Sequence, residues 1–229
     1  MHSGFLPLLR LAMHSAGTTE ENEWGYDPKL RPLAAIVMAS AAGECFVNNV
    51  IDVANTDACK PDLPTELDWH SFGLLAKLID ERADTKTKIG ILVTSLTRKP
   101  ADFGSGALQS FVRLTQLRNQ IVHFKQSTSV PVGFGERGIS FKAEHSKVIK
   151  QFEDEHLAAP ERKGPNPLGM EQVISTTKIA WWACDATLRL IELFSGFGDT
   201  LFLTLTADVC RTLRTEFPEG PYFKPRTYA

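Results

Sequence analysis

Apolar side chains recur along most of this chain at three- and four-residue steps, the period that gathers them on one face of an α-helix. Between about Pro32 and Ala54 the set is Leu33, Ile36, Ala39, Phe46, Val50 and Val53. Pro32 stands where a first helical turn tolerates proline. A second stripe, Phe72, Leu75, Leu78 and Ile79, predicts a helix over about Glu66–Arg82. Lys86–Thr97 reads as helical or mixed, because its β-branched residues weaken the helical pattern. The clearest stripe is Leu108, Phe111, Leu114, Leu117, Ile121 and Phe124, a helix over about Ala107–Phe124. Val173, Ile174, Ile179, Trp182, Leu188, Ile191 and Leu193 predict one long helix over Met170–Phe194, and Asp199–Glu216 a last one.

Polar and Gly/Pro-rich stretches separate these helices. They are Thr18–Pro28, a loop with Pro61 and Pro64, the break Pro100–Gly106, and Pro160–Gly169. Gln126–Ser140, with glycines among β-branched residues, suits a turn or small hairpin, and the polar Lys142–His156 suits a helix. The fold expected is therefore all-α, a bundle of four to five main helices with an irregular insertion near 126–169. By domain, residues 1–31 form an N-terminal extension, 32–217 the helical body, and 218–229 a tail. Phe5–Met13 is a short apolar run, interrupted by Arg10 and too short to span a bilayer, so it reads as an amphipathic helix packed on the body. No other stretch reads as a membrane span, and no membrane partner is expected.

Composition adds limits. With 229 residues, 43% of them hydrophobic and 23% charged, the chain can bury a full core without disulfide or metal staples. Cys45, Cys59, Cys184 and Cys210 are scattered with no CxxC pair. Cys45 and Cys184 lie in apolar helical patterns and read as buried free thiols, consistent with a reducing, cytoplasmic setting. The net charge is −2, yet it is unevenly spread. Arg113, Arg118, Lys125, Arg137, Lys142, Lys147 and Lys150 face only Glu136 and Glu144 in their stretch. A basic region on an otherwise acidic chain is either a solvated surface or a guide for a polyanion; on the second reading Arg113 and Lys125 are candidate RNA contacts.

The candidate chemistry sits inside Leu117-Arg118-Asn119-Gln120-Ile121-Val122-His123. Asn119 and His123, four apart, stack on one side of the helix, away from the stripe of Leu114, Leu117 and Ile121. The long Arg118 side chain reaches toward the same anion. Histidine titrates near neutrality and moves protons, arginine grips phosphate oxygens with a planar fork, and asparagine orients either partner. Phosphodiester cleavage suits this set. In RNA the ribose 2′-hydroxyl is the nucleophile, so neither a metal nor another cofactor is expected, and no HExxH or comparable ligand spacing is present. Trp181-Trp182 either stacks a base or belongs to the core. His70, His145 and His156 read as structural or surface residues.

This run resembles the signature of the HEPN superfamily, an Arg followed by a polar residue and then a His a few positions later. The upstream Ala41-Ala42-Gly43-Glu44-Cys45-Phe46-Val47-Asn48 and the loop Phe103-Gly104-Ser105-Gly106 are similar to HEPN sequences too, so the likeness covers roughly Pro32–Phe124. It implies a bundle that dimerises through its motif helices. Arg118, Asn119 and His123 of two copies would then line one cleft, with Glu44 and Asn48 supporting Arg118. It also implies a metal-independent endoribonuclease, of the kind found in toxin–antitoxin and phage-defence systems with an antitoxin or other partner protein. The alternative is a non-catalytic helical module that uses the same helix to dimerise or to bind a protein or nucleotide.

Overall fold

A computed structural model describes residues 4–17, 30–55, 83–104, 106–123, 128–135, 138–144, 146–159, 170–197 and 201–218. Among these the helices are α1 (Phe5–Gly17), α2 (Arg31–Asn55), α3 (Thr85–Thr97), α4 (Gly106–Val122), α5 (Lys147–Asp154), α6 (Met170–Ile174), α7 (Thr177–Ser195) and α8 (Leu201–Glu216). One antiparallel hairpin, β1 (Thr128–Gly135) with β2 (Gly138–Glu144), is inserted between α4 and α5. The architecture is an all-α bundle decorated by that hairpin. The helix expected over Glu66–Arg82, with His70, lies outside the described residues, as do the loop expected at Pro160–Gly169, Cys59, Phe124, Lys125 and His145.

Two helices organise the core. In α7 every residue from Ile179 to Leu188 is buried, so it is covered on all sides, as a central helix must be. It packs on α1, α2, α4 and α8. Helix α2 packs on α1, α3, α4 and α7, and its small residues Ala35, Ala39, Ala42 and Gly43 allow close approach. Thr187 of α7 satisfies its buried hydroxyl by donating to the Ala39 carbonyl of α2 at 2.9 Å. The N-terminal apolar run behaves as expected: Phe5, Leu9, Ala12, Met13 and Ala16 of α1 are buried in the common core, where Phe5 meets Phe46 edge-on.

Four local differences from the expectations have identifiable causes. The long helix expected from Met170 is broken after Ile174. Thr176 is extended and its hydroxyl accepts the Ile179 N–H, which caps α7 and starts it afresh. The segment from Lys86 is fully helical despite its β-branched residues. Asp84 caps it, accepting from the Thr87 N–H and hydroxyl at 2.9 Å each, bonds that hold this carboxyl below the usual aspartate range. Residues 142–144, expected to open a helix, close strand β2, and α5 begins only after the Ser146 cap. Finally, against the expectation that no stretch beyond the N-terminal run resembles a membrane span, α2 is long and apolar enough to cross one by length and composition. Its apolar face instead contributes Ile36, Phe46, Val47 and Ile51 to the core.

A network of charges joins α7 to α8. Asp185, 3% exposed, pairs with Arg189 on its own helix and lies 3.7 Å from Arg214 of α8. Arg214 also grips Glu192 with two hydrogen bonds, at 2.7 and 2.9 Å. Burial pushes the Asp185 carboxyl up, while its two arginines pull it down. Burial also raises the Cys184 thiol, and that of Cys210 to about 12, so both remain protonated. Cys45 is only half-buried, less enclosed than its pattern suggested, because it lies at the border of the α2 stripe.

Helices α2 and α4 are in close contact at Gly43. A Cβ added at Gly43 would fall inside the van der Waals envelope of the Phe111 ring, on Cε2 and Cζ. Phe111 is fully buried and has no room to retreat. Gly43→Ala gains about 1 kcal/mol of helix propensity, but overpacking costs about 1–3 kcal/mol. The expected result is a net loss of stability in urea unfolding, with Phe111→Leu in the same chain recovering part of it. A Gly43→Ala protein as stable as the parent would contradict this crossing.

Candidate functional site

The crossing at Gly43 places the next residue, Glu44, against α4. Arg118 Nη2 donates to Glu44 Oε2 at 2.8 Å, and Arg118 Nη1 donates to Asn119 Oδ1 at 2.9 Å. The side chains of the ion pair are 26% and 27% exposed. That is covered enough to fix the geometry and open enough for the guanidinium to meet solvent. Among the described residues two of the five guanidinium N–H donors are thereby engaged, and three have no partner there.

His123 follows at the last turn of α4. Its backbone N–H donates to the Asn119 carbonyl at 3.0 Å, so the imidazole sits one turn from Asn119 on the same side of the helix. The side chain is exposed, and among the described residues it makes no hydrogen bond or ion pair. Asn119 is exposed as well, and beside them Val122 shows an apolar surface, 53% exposed. Glu44, Arg118 and Asn119 thus form one bonded set with His123 adjacent. Gln120, between them, accepts a hydrogen bond from Ser146, the cap of α5, at 2.8 Å, which ties the end of α4 to the insertion.

Asn48, expected to support Arg118, has another partner. It accepts a hydrogen bond from Lys88 Nζ of α3 at 3.2 Å. Sequence reasoning did not single out Lys88, since no spacing relates it to a residue 40 positions earlier.

Arg113 is not placed as an RNA contact. Its two terminal nitrogens hold Glu155 at 2.8 and 3.1 Å, and its guanidinium lies 4.7 Å from the Phe152 ring centroid and 5.4 Å from that of Trp182. At 16% exposure the fork is spent on a clamp between α4, α5 and α7. A sequence displays the positive charge of Arg113 but not the carboxylate that folding brings to it. The same clamp accounts for Trp182, which packs edge-on against Phe152. Trp181 is likewise buried, so the pair belongs to the core and offers no platform for a base. His156 is exposed, as expected. Lys147 and Lys150 are exposed on α5.

No three His, Cys, Asp or Glu side chains converge as metal ligands among the described residues. A cavity of about 270 Å³ opens between Met13, His14, Gly17, Trp181, Glu216 and Phe217, and neither Glu44, Arg118, Asn119 nor His123 lines it.

No protein-family model, no curated protein and no solved structure matches this chain. The site therefore stands on its own geometry: an arginine braced from a neighbouring helix, with an asparagine and an exposed histidine at one helix end.

The clamp makes a prediction of its own. Lysine cannot reproduce a bidentate fork stacked on two rings, so Arg113→Lys is expected to cost about 1–2 kcal/mol, from the lost cation–π and fork geometry. The midpoint of chemical unfolding measures it, and an unshifted midpoint would sink the assignment.

Proposed function

We propose that this chain is a metal-independent endoribonuclease of HEPN type that acts as a homodimer, with Arg118, Asn119 and His123 as its catalytic set. The observation that carries the reading is the braced arginine. Glu44 and Asn119 hold Arg118 in one orientation, five residues before an exposed histidine, while leaving it donors for phosphate oxygens.

The chemistry follows from the side chains. The ribose 2′-oxygen attacks the adjacent phosphorus, the bond from phosphorus to the 5′-oxygen breaks, and a 2′,3′-cyclic phosphate and a 5′-hydroxyl result. Charge builds on the non-bridging oxygens, where the Arg118 N–H groups stabilise it. One His123 accepts the 2′-hydroxyl proton, and His123 of a second copy returns a proton to the leaving oxygen. Asn119 orients Arg118 directly and shares a face with His123. A cytoplasmic setting and a place in a toxin–antitoxin or phage-defence system, with an antitoxin or other partner protein, complete the proposal.

A second reading has one observation in its favour. Arg118 is already paired inside its own subunit, as suits a non-catalytic module whose α4 end binds a partner. One experiment separates the two. Purified protein is incubated with single-stranded RNA in the presence of a chelator, beside Arg118→Ala and His123→Ala. The nuclease reading expects cleavage by the parent chain, a loss of about 10²–10³-fold for Arg118→Ala and about 10²–10⁴-fold for His123→Ala. Cleavage that survives both substitutions removes the site from consideration, and its absence from the parent chain favours the binding module.

A further inference from the structure

One turn along α2 from Glu44 stands a second polar anchor. Asn48 accepts the bond from Lys88 Nζ at 3.2 Å, and Lys88 belongs to the first turn of α3. Glu44 and Asn48, four residues apart, share one face of α2 with their Cβ atoms about 5–6 Å apart. Helices α4 and α3 thus each deliver one cation to successive turns of the same α2 face: Arg118 at Glu44, and Lys88 at Asn48.

The two cations differ in what they meet. Arg118 has a carboxylate. Lys88 is half-buried, and among the described residues its ammonium meets no carboxylate; its side-chain partner is the neutral amide of Asn48. An ammonium has three donors, of which Asn48 takes one. A partly desolvated charge without a counter-ion is unfavourable, and an arriving anion would offset that cost. A lysine that merely laid its stem over α2 would carry its head into water, whereas this one is turned to Asn48. The Glu44, Arg118 and Lys88 side chains sum to one positive charge, and the next carboxylate at this spacing, Asp52, is exposed one turn beyond Asn48.

We propose that Lys88, positioned by Asn48, is a second phosphate subsite that takes the backbone phosphate neighbouring the one held at Arg118. This rests on the ribonuclease reading of Arg118 and His123. The ligand is a single-stranded RNA backbone, held at two phosphates and not read by base.

Salt dependence tests it, because each phosphate contact releases counter-ions. The probe is a single-stranded RNA oligonucleotide with 2′-O-methyl riboses, which binds but is not cut. Its dissociation constant is measured over a salt series for the full chain, Lys88→Gln, Lys88→Arg and Lys99→Ala, the last an exposed lysine beyond the far end of α3. Gln keeps the stem and a donor for Asn48 while removing the charge. For Lys88→Gln the slope of log affinity against log salt is expected to fall by about 0.7, the loss of one single-strand phosphate contact. The affinity should weaken alike for oligonucleotides of different sequence. Lys88→Arg should restore the slope and Lys99→Ala leave it unchanged. If the parent chain binds but the slope of Lys88→Gln does not change, or Lys99→Ala changes it equally, the subsite is overturned and the ribonuclease reading stands. If the parent chain does not bind the probe at all, both are overturned.

Discussion

The contact between Gly43 and the Phe111 ring governs the rest of the candidate site. With no side chain at residue 43, α4 lies against α2 closely enough for Glu44 to reach Arg118. Any Cβ there would push the helices apart at the point where a 2.8 Å ion pair must form one residue later. The Ala-rich stretch of α2 serves the same end one turn earlier, where the Ala39 carbonyl accepts from Thr187 of the central helix α7. A half-buried ion pair is worth more for the orientation it imposes than for stability, since desolvation offsets much of its attraction. Here the orientation concerns a guanidinium that would otherwise sweep a wide volume at the exposed end of a helix.

Charge is handled in two ways in this bundle. In the interior it is closed: Asp185, Arg189, Glu192 and Arg214 neutralise one another between α7 and α8, and Arg113 is clamped on Glu155. Near the ends of α4 and α3 it is left open. Among the described residues, Arg118 keeps donors beyond those on Glu44 and Asn119, the His123 side chain has no partner, and the Lys88 ammonium meets an amide and no carboxylate. The interior charges are thus paired among the described residues, while these three side chains keep the capacity to meet a ligand.

Much of the fold was legible in the sequence because helical periodicity reports burial directly. Leu108, Phe111, Leu114 and Leu117 form the buried stripe of α4, and Phe5 to Ala16 the buried face of α1. The break at Ser175-Thr176 was not legible: two polar residues inside an apolar pattern interrupt a helix only if a cap bond forms, and periodicity does not reveal caps. Nor does it reveal partners distant in sequence. The resemblance, not the periodicity, sets Glu44 beside Arg118, and the structure has that ion pair; no pattern in the sequence sets Glu155 beside Arg113. Lys88 carried no signal, since its meaning depends on Asn48 across a helix interface.

On the proposed ribonuclease reading, Glu44 contributes to RNA cleavage only by holding Arg118. A double-mutant cycle on the rate of RNA cleavage tests it, using Glu44→Ala, Arg118→Ala and the two together. Residues that work as one unit are not additive, so the double variant is expected to be no slower than Arg118→Ala alone. Independent, multiplying losses from the two substitutions would contradict the account.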